Sequence, residues 1–199
     1  MGFDEETMGF YAAQAGPYLT YRPETVDPNI PGFLKLLMPG ARILELGCGG
    51  GVEAAYMISQ GFDVEPTDGV DEMAVQAQER LGRPVRVMRF DQLVAVEAYD
   101  AVVANASLLH VPVADLAAIL ARVWRALKPG GLHFATYKTG ALENRDEHGR
   151  YYNYLSRKQS EAQYRSAGDW MSLDYEEFDG VGYFSQPASW LKVVARKRA

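Results

Sequence analysis

The chain has 199 residues, which suits one domain whose core needs no metal or disulfide staple. Its composition, 48% hydrophobic and 23% charged, is that of a soluble globular protein. A formal charge of −6 argues against a nucleic-acid or anionic-membrane surface, and the single cysteine, Cys48, excludes an internal disulfide and a zinc spacing.

In chain order, "MGFDEETMGF" is acidic and interrupted, unlike a signal peptide, and no apolar run reaches membrane-spanning length. The expectation is a reducing, cytoplasmic setting. Residues 1–40 read as a helical cap and 41–199 as the core of the same single domain. Within the cap, "EETMGFYAAQAGPYL" is a short helix, "YRPETVDPNIPG" a Pro-rich crossing, and "FLKLLM" an apolar helical piece ended by Pro39-Gly40.

From Ala41 the pattern alternates. "ARILELG" is a strand, "GVEAAYMISQG" a helix closed by Gly61, and "FDVEPTD" a strand ending in Asp68. "DEMAVQAQERLG" is helical, with Met73, Ala77 and Leu81 on one face. "RPVRVMRFD" alternates as a strand and ends in Asp91. "YDAVVANAS" is a strand, "PVADLAAILARVWRALKPGG" an amphipathic helix and turn, and "LHFATYK" a strand. Strands apolar on both faces, alternating with helices, predict a doubly wound, Rossmann-like α/β sheet, mostly parallel and covered on both sides. The tail differs: a helix over "SEAQYRSAG" precedes "WMSLDYEEFDG" and "ASWLKVVARK", an antiparallel addition at the sheet edge.

Ligands of such sheets bind outside the carboxyl ends of the strands, at the point where strand order reverses. There the first strand runs into Gly47-Cys48-Gly49-Gly50-Gly51. A dinucleotide site needs G-x-G-x-x-G. One register puts Val52 in the third glycine position and the other puts Ala54 there, while Glu53 would repel a pyrophosphate in the first helical turn. A nucleoside sulfonium needs close backbone approach without an anion hole. "ELGCGGG" has the spacing E-x-G-x-G-x-G, followed by acids at the next two strand ends, Asp68 and Asp91.

These motifs, together with "YDAVVANASLLHV" and "LKPGG", resemble the class I S-adenosylmethionine-dependent methyltransferases, in particular the small single-domain group acting on small molecules. Within that group the likeness extends to tellurite-resistance and secondary-metabolite enzymes. The resemblance covers about Tyr11 to Lys197 and implies a seven-stranded sheet with an antiparallel C-terminal strand. It implies S-adenosyl-L-methionine as cofactor, S-adenosyl-L-homocysteine as product and an in-line methyl transfer. It also implies that Glu45, Gly47, Cys48, Gly49 and Gly51 lie along the methionine and ribose. Asp68 would meet the ribose hydroxyls, Asp91 and Gln92 the adenine edge, and Asn105 and Ala106 the pocket wall. Gly69 stands where the family often has a larger apolar residue against the adenine; Val70 or another loop covers the ring instead.

Each assignment has a plainer counterpart. The glycines form a tight turn, Asp68 can cap the following helix, Asp91 can form a turn, and Cys48 is a small packed residue. His110, at the rim where an acceptor lies, is a candidate general base; its plainer role is to steady the loop by local hydrogen bonds. Tyr11, Tyr18 and Arg22 in the cap, and "GRYYNYLSR" at 149–157, read as two walls of an acceptor cavity, with Tyr11 also a cofactor contact whose ring can face the sulfonium, Tyr18 a candidate catalytic hydroxyl, and 139–155 a lid. The acceptor is expected to be a small molecule, with no metal, nucleic-acid or membrane partner. The competing functions are a nicotinamide-dependent oxidoreductase and a non-catalytic S-adenosylmethionine-binding module.

Overall fold

Ile43, Leu44 and Leu46 are wholly buried in β1 (Arg42–Leu46) because that strand has helices on both sides. In the computed structural model, which describes residues 2–21, 25–140, 143–182 and 186–199 and, over 17–21, the backbone alone, it sits near the middle of a seven-stranded sheet. The other strands are β2 (Asp63–Asp68), β3 (Arg86–Val87), β4 (Tyr99–Ala104), β5 (Leu127–Lys138), β8 (Trp170–Val181) and β9 (Pro187–Lys197). The order is β3-β2-β1-β4-β5-β9-β8. Strands β1 to β5 pair in parallel; β9 runs antiparallel to both β5 and β8, so it alone opposes the rest. This is the seven-stranded, mostly parallel arrangement expected from the sequence. Strands β6 (Asn144–Arg145) and β7 (Tyr151–Tyr152) form a separate small ribbon.

The helices are α1 (Glu5–Tyr21), α2 (Asn29–Leu34), α3 (Val52–Ser59), α4 (Asp71–Leu81), α5 (Val113–Ala126) and α6 (Arg157–Ala167). On one face of the sheet, Leu116, Ile119, Leu120 and Val123 of α5 bury their helical stripe against Leu44, Leu46 and Val102. On the other, Ile30 and Phe33 of α2 and Ala54 and Met57 of α3 pack on Ile43, Val64, Val103 and Phe134. Each fully buried Leu or Ile contributes roughly 1.5–3 kcal/mol of transfer free energy, so these two layers fix the strand ends in space.

Several local expectations shift. The strand read over 83–91 pairs only at Arg86 and Val87. Met88 turns inward, and the Arg89 amide donates to Gln92 Oε1 at 2.9 Å, winding Phe90–Gln92 into a 3-10 turn. A local side-chain cap outcompetes the edge ladder here. The second cap helix begins earlier than read, at Asn29, whose amide donates to Asp27 Oδ1 at 2.8 Å, and Pro31 falls in the first turn, where no intrahelical N–H is needed. The turn expected before the fifth strand is a bulge inside it: Leu127 pairs with Tyr99 and Leu132 with Ala101, so Lys128–Gly131 loops out of register.

Candidate active site

The β1–α3 turn opens at the carboxyl edge of the sheet. Gly47 has φ +72°, and a Cβ there would stand 2.6 Å from Ser107 Cβ. Only glycine suits both the left-handed backbone and that approach. The Gly47 and Cys48 amides donate to the Thr67 carbonyl at 2.9 Å, which pins the turn to β2. The Gly49 amide donates to Asp68 Oδ2 at 2.9 Å, and the Val70 amide to Asp68 Oδ1 at 3.0 Å. One carboxylate therefore braces both the glycine turn and the start of α4. Burial outweighs those amide bonds and pushes the Asp68 pKa up to about 6.

Beside this turn lies a cleft of about 480 Å³. Gly47, Gly49, Asp68, Gly69, Asn105, Ala106, Tyr11 and His110 all reach its wall. Asn105 is held from two sides: it accepts from Thr136 Oγ1 at 2.7 Å and its amide donates to Glu53 Oε1 at 3.4 Å. The Ala106 amide donates to the same Thr136 hydroxyl at 2.8 Å, and Ala106 carries φ +49°. A non-glycine residue in that region marks a constrained bend, here at the point where β4 leaves the sheet. A Cβ on Gly69 would meet the Arg89 stem at 3.5 Å and Met8 Cε at 3.7 Å, so these side chains occupy the room a larger residue would take. Val70, Met73 and Phe90 complete that apolar wall.

Other expected contacts fall elsewhere. Glu45 and Cys48 are buried beneath the turn. Cys48 packs with Ala74, Ala77 and Val85, and burial with the nearby Glu45 raises its thiol pKa well above the ordinary range. Gly51, with φ +75°, faces Ala77 at 3.2 Å for an added Cβ. Asp91 is turned to Arg89, which donates to it at 3.1 Å, and Gln92 is exposed and spent on the cap; Arg89 and Phe90 meet the cleft in their place. The Tyr18 side chain and Arg22 lie outside the described residues.

At the far end of the cleft, the Tyr11 hydroxyl stands 3.0 Å from His110 Nε2, and His110 Nδ1 lies 2.6 Å from the Tyr151 carbonyl. A carbonyl only accepts, so Nδ1 carries the proton and Nε2 accepts from Tyr11. Burial lowers the His110 pKa to about 4, and Arg150 and Lys138 push the same way. The ring is therefore neutral at pH 7, and its free lone pair is directed at a tyrosine rather than at open space. Arg150 donates to Tyr11 Oη at 3.3 Å and to Asp146 at 2.6 Å. Sequence reading passed over Lys138 and the Thr7–Met8 stretch of α1, and met Glu53 only as an acid that repels a pyrophosphate; all of them line the cleft. Lys138 and Glu53 were findable, because one ends β5 at the ligand edge and the other opens α3 beside the turn.

A family model described as a methyltransferase domain matches residues 44–135, from β1 through β5. Just under half of the chain, residues 44–135, therefore resembles a methyltransferase domain. The chain is 34% identical over 107 residues to a ubiquinone biosynthesis O-methyltransferase of Xanthomonas campestris, and 32% over 109 residues to one of Xylella fastidiosa. Each match covers about half of this chain, 50% and 51%, and 44% of the relative's length. The fold extends beyond the matched segment. It superposes on Burkholderia thailandensis 1,6-didemethyltoxoflavin-N1-methyltransferase, solved with 1,6-didemethyltoxoflavin and S-adenosylhomocysteine, with a TM-score of 0.78 at 18% identity. That likeness covers 98% of this chain and 88% of the other. Haemonchus contortus phosphoethanolamine N-methyltransferase 2, solved with S-adenosyl-L-methionine, gives 0.79 at 18% identity over 100% of this chain and 61% of that one. The chain thus has the Rossmann-like fold of these methyltransferases. Among the described residues, no helix is long and apolar enough to cross a membrane, and no cluster of metal-binding side chains is present.

Proposed function

We propose that this protein transfers a methyl group from S-adenosylmethionine to a small molecule. The observation that carries this reading is that the Gly47–Gly49 turn and the Asp68 carboxylate share one wall of a single deep cleft. The residues fit such a donor. Gly47, Gly49 and Gly69 bring backbone to the wall, and the acids on that side, Glu53 and Asp68, suit a cationic ligand and repel a pyrophosphate. Asp68, already aligned by two backbone amides, would accept from the ribose hydroxyls. Val70, Met73, Met8 and Phe90 would enclose the adenine, and Asn105 and Ala106 the methionine side. When bound, S-adenosylmethionine supplies a methyl activated on a sulfonium, which passes to the acceptor by in-line displacement.

The chain's own task is to align the two partners and exclude water, a contribution of roughly 7–11 kcal/mol in favourable cases. The whole chain acts as one domain in this reading, with residues 1–40 as cap and 139–155 as lid over the acceptor end. His110 holds the Tyr11 hydroxyl towards that end, and an acceptor proton would reach its Nε2 through Tyr11. The lone, buried Cys48 suits a cytoplasmic setting. Calorimetric titration with S-adenosylhomocysteine, beside NAD, is the test. Binding of the first and not the second is expected, with transfer of a labelled methyl from S-adenosylmethionine to an extracted metabolite pool. Absence of S-adenosylhomocysteine binding, or preference for NAD, overturns the proposal. Binding without transfer points to a sensor module.

A further inference from the structure

Glu53 and Asp68 line the cleft beside the glycine turn; Lys138 and Arg150 line it beside Tyr152, and Asp4, Asp27, Arg89 and Asp179 also reach its wall. Arg150 is committed, with Asp146 on Nε and Nη2 at 2.9 and 2.6 Å. Lys138 differs. Its ammonium lies 4.3 Å over the Tyr152 ring centroid and 5.8 Å from that of Trp190, and among the described residues no carboxylate pairs with it. Its neighbours are aromatic rings, the Gly182 backbone and a second cation. Of the carboxylates nearby, Asp146 is held by Arg150 and acts on Lys138 only through its field, and Asp179, on the same cleft wall, accepts from Ser189 at 3.0 Å. Ring faces supply only part of what a half-buried ammonium loses in leaving water. Burial first, and Arg150 second, lower the Lys138 pKa. An anion placed here would relieve both effects.

Presupposing the donor site proposed above, we infer that the methyl acceptor is a small organic anion whose negative group is bound by Lys138 Nζ at the Tyr152–Trp190 end of the cleft. The Arg150 guanidinium adds a fixed positive field beside Tyr152, 5.5 Å from its ring centroid. Leu109, Phe178 and Trp190 give the remaining body of the acceptor an apolar surface. Held there, the anion anchors the acceptor away from the acids that receive the donor, so each ligand meets charge opposite to its own. A neutral molecule of the same shape would leave Lys138 uncompensated, which gives the pocket a charge preference independent of shape.

The test uses benzoate and benzamide, two probes of one shape and different charge, titrated into the full chain with and without S-adenosylhomocysteine. Benzoate is expected to bind at least tenfold more tightly than benzamide. Lys138→Met should erase that difference, and Lys138→Arg should keep it within about threefold. S-adenosylhomocysteine affinity, measured separately, should be the same in all three proteins. Circular dichroism checks that both variants fold, and the Arg variant carries the test if the Met variant does not. Equal binding of the two probes, no benzoate binding at millimolar concentration, or an undiminished preference in Lys138→Met each overturns the inference. Failure of S-adenosylhomocysteine to bind while benzoate still depends on Lys138 faults the donor reading instead.

Discussion

Arg145 of the β6–β7 ribbon grips Asp4 at the head of α1, with its two terminal nitrogens 2.9 and 2.7 Å from the carboxylate oxygens. The same ribbon joins α1 again where the Tyr151 amide donates to Thr7 Oγ1 at 2.8 Å, and a third time through Arg150 and Tyr11. Helix α1 and the ribbon are thus tied to each other at three points beside the cleft. Arg145 holds the Asp4 pKa down to about 2. A depressed carboxylate stabilises the clasp above its unfolded pKa of about 4 and loses that effect as pH falls through the folded value. Arg145→Ala should return the Asp4 pKa towards 4 and speed amide exchange at Tyr151. Unchanged protection at Tyr151 would show that the ribbon is held by other means.

Gly47 is under two constraints, and they can be separated. At Gly61, φ is +86° and a Cβ would meet nothing within 4 Å, so alanine there meets backbone strain alone. At Gly47 alanine adds the contact with Ser107. Gly47→Ala should therefore cost about 1–3 kcal/mol and more than Gly61→Ala, with a fall in melting temperature of roughly 3–10 °C for a chain this size. Ser107→Gly in the Gly47→Ala background should recover the steric share. Equal melting of the Gly47→Ala and Gly61→Ala proteins would remove the close approach from the account.

In the donor site proposed above, Asp68 would give binding a pH dependence whose sign is fixed by burial. Its folded pKa is raised to about 6, so the native protein takes up this proton before the unfolded chain does. Between about pH 6 and 4 that uptake favours the native state, while above 6 the buried charge costs stability. The ionised form accepts on both oxygens, whereas protonation turns one of them into a donor. S-adenosylhomocysteine affinity should then fall about tenfold per pH unit below 6, and Asp68→Asn should bind weakly with no such slope. Calorimetry between pH 8 and 5 decides; a flat profile in the unaltered protein would remove Asp68 from the ribose.

Strand and helix order was legible because each element announces itself locally. The apolar runs of β1 and β4 have no polar face, and Leu116, Ile119, Leu120 and Val123 mark α5 at helical spacing. The ends of β1 and β2 followed from topology, which is why Gly47, Gly49 and Asp68 were readable as one cluster. The end of β3 was not. Its fate depends on whether Gln92 bends back to the Arg89 amide, a choice between a local cap and a two-residue edge ladder that spacing does not encode. The Tyr11–His110 end of the cleft was legible only as a tyrosine-rich run. Its organisation comes from contacts between residues far apart in sequence, Tyr11 with His110 and Arg150 with Tyr11. No periodicity reports such pairs.

Two histidines tie stability to pH in the opposite direction from Asp68. Burial lowers His133 to a pKa of about 4, as it does His110. His133 Nδ1 donates to the Val102 carbonyl at 2.9 Å, and Nε2 is enclosed with no hydrogen-bond partner among the described residues, beside the rings of Tyr164 and Trp170. The unfolded chain binds a proton at such a site near pH 6.5 and the native protein does not until about 4. Stability from a neutral buried histidine is therefore complete above 6.5 and is lost as pH falls towards 4, at about 1.4 kcal/mol per pH unit. His133→Leu removes the titrating group and the enclosed nitrogen together while leaving Val102 without its donor, and its net effect at pH 8 should be small. Denaturant unfolding from pH 8 to 4.5 should show the acid slope of His133→Leu reduced by about one proton relative to the unaltered chain. Parallel slopes would mean that His133 is protonated in the native core, and the neutral assignment would fall.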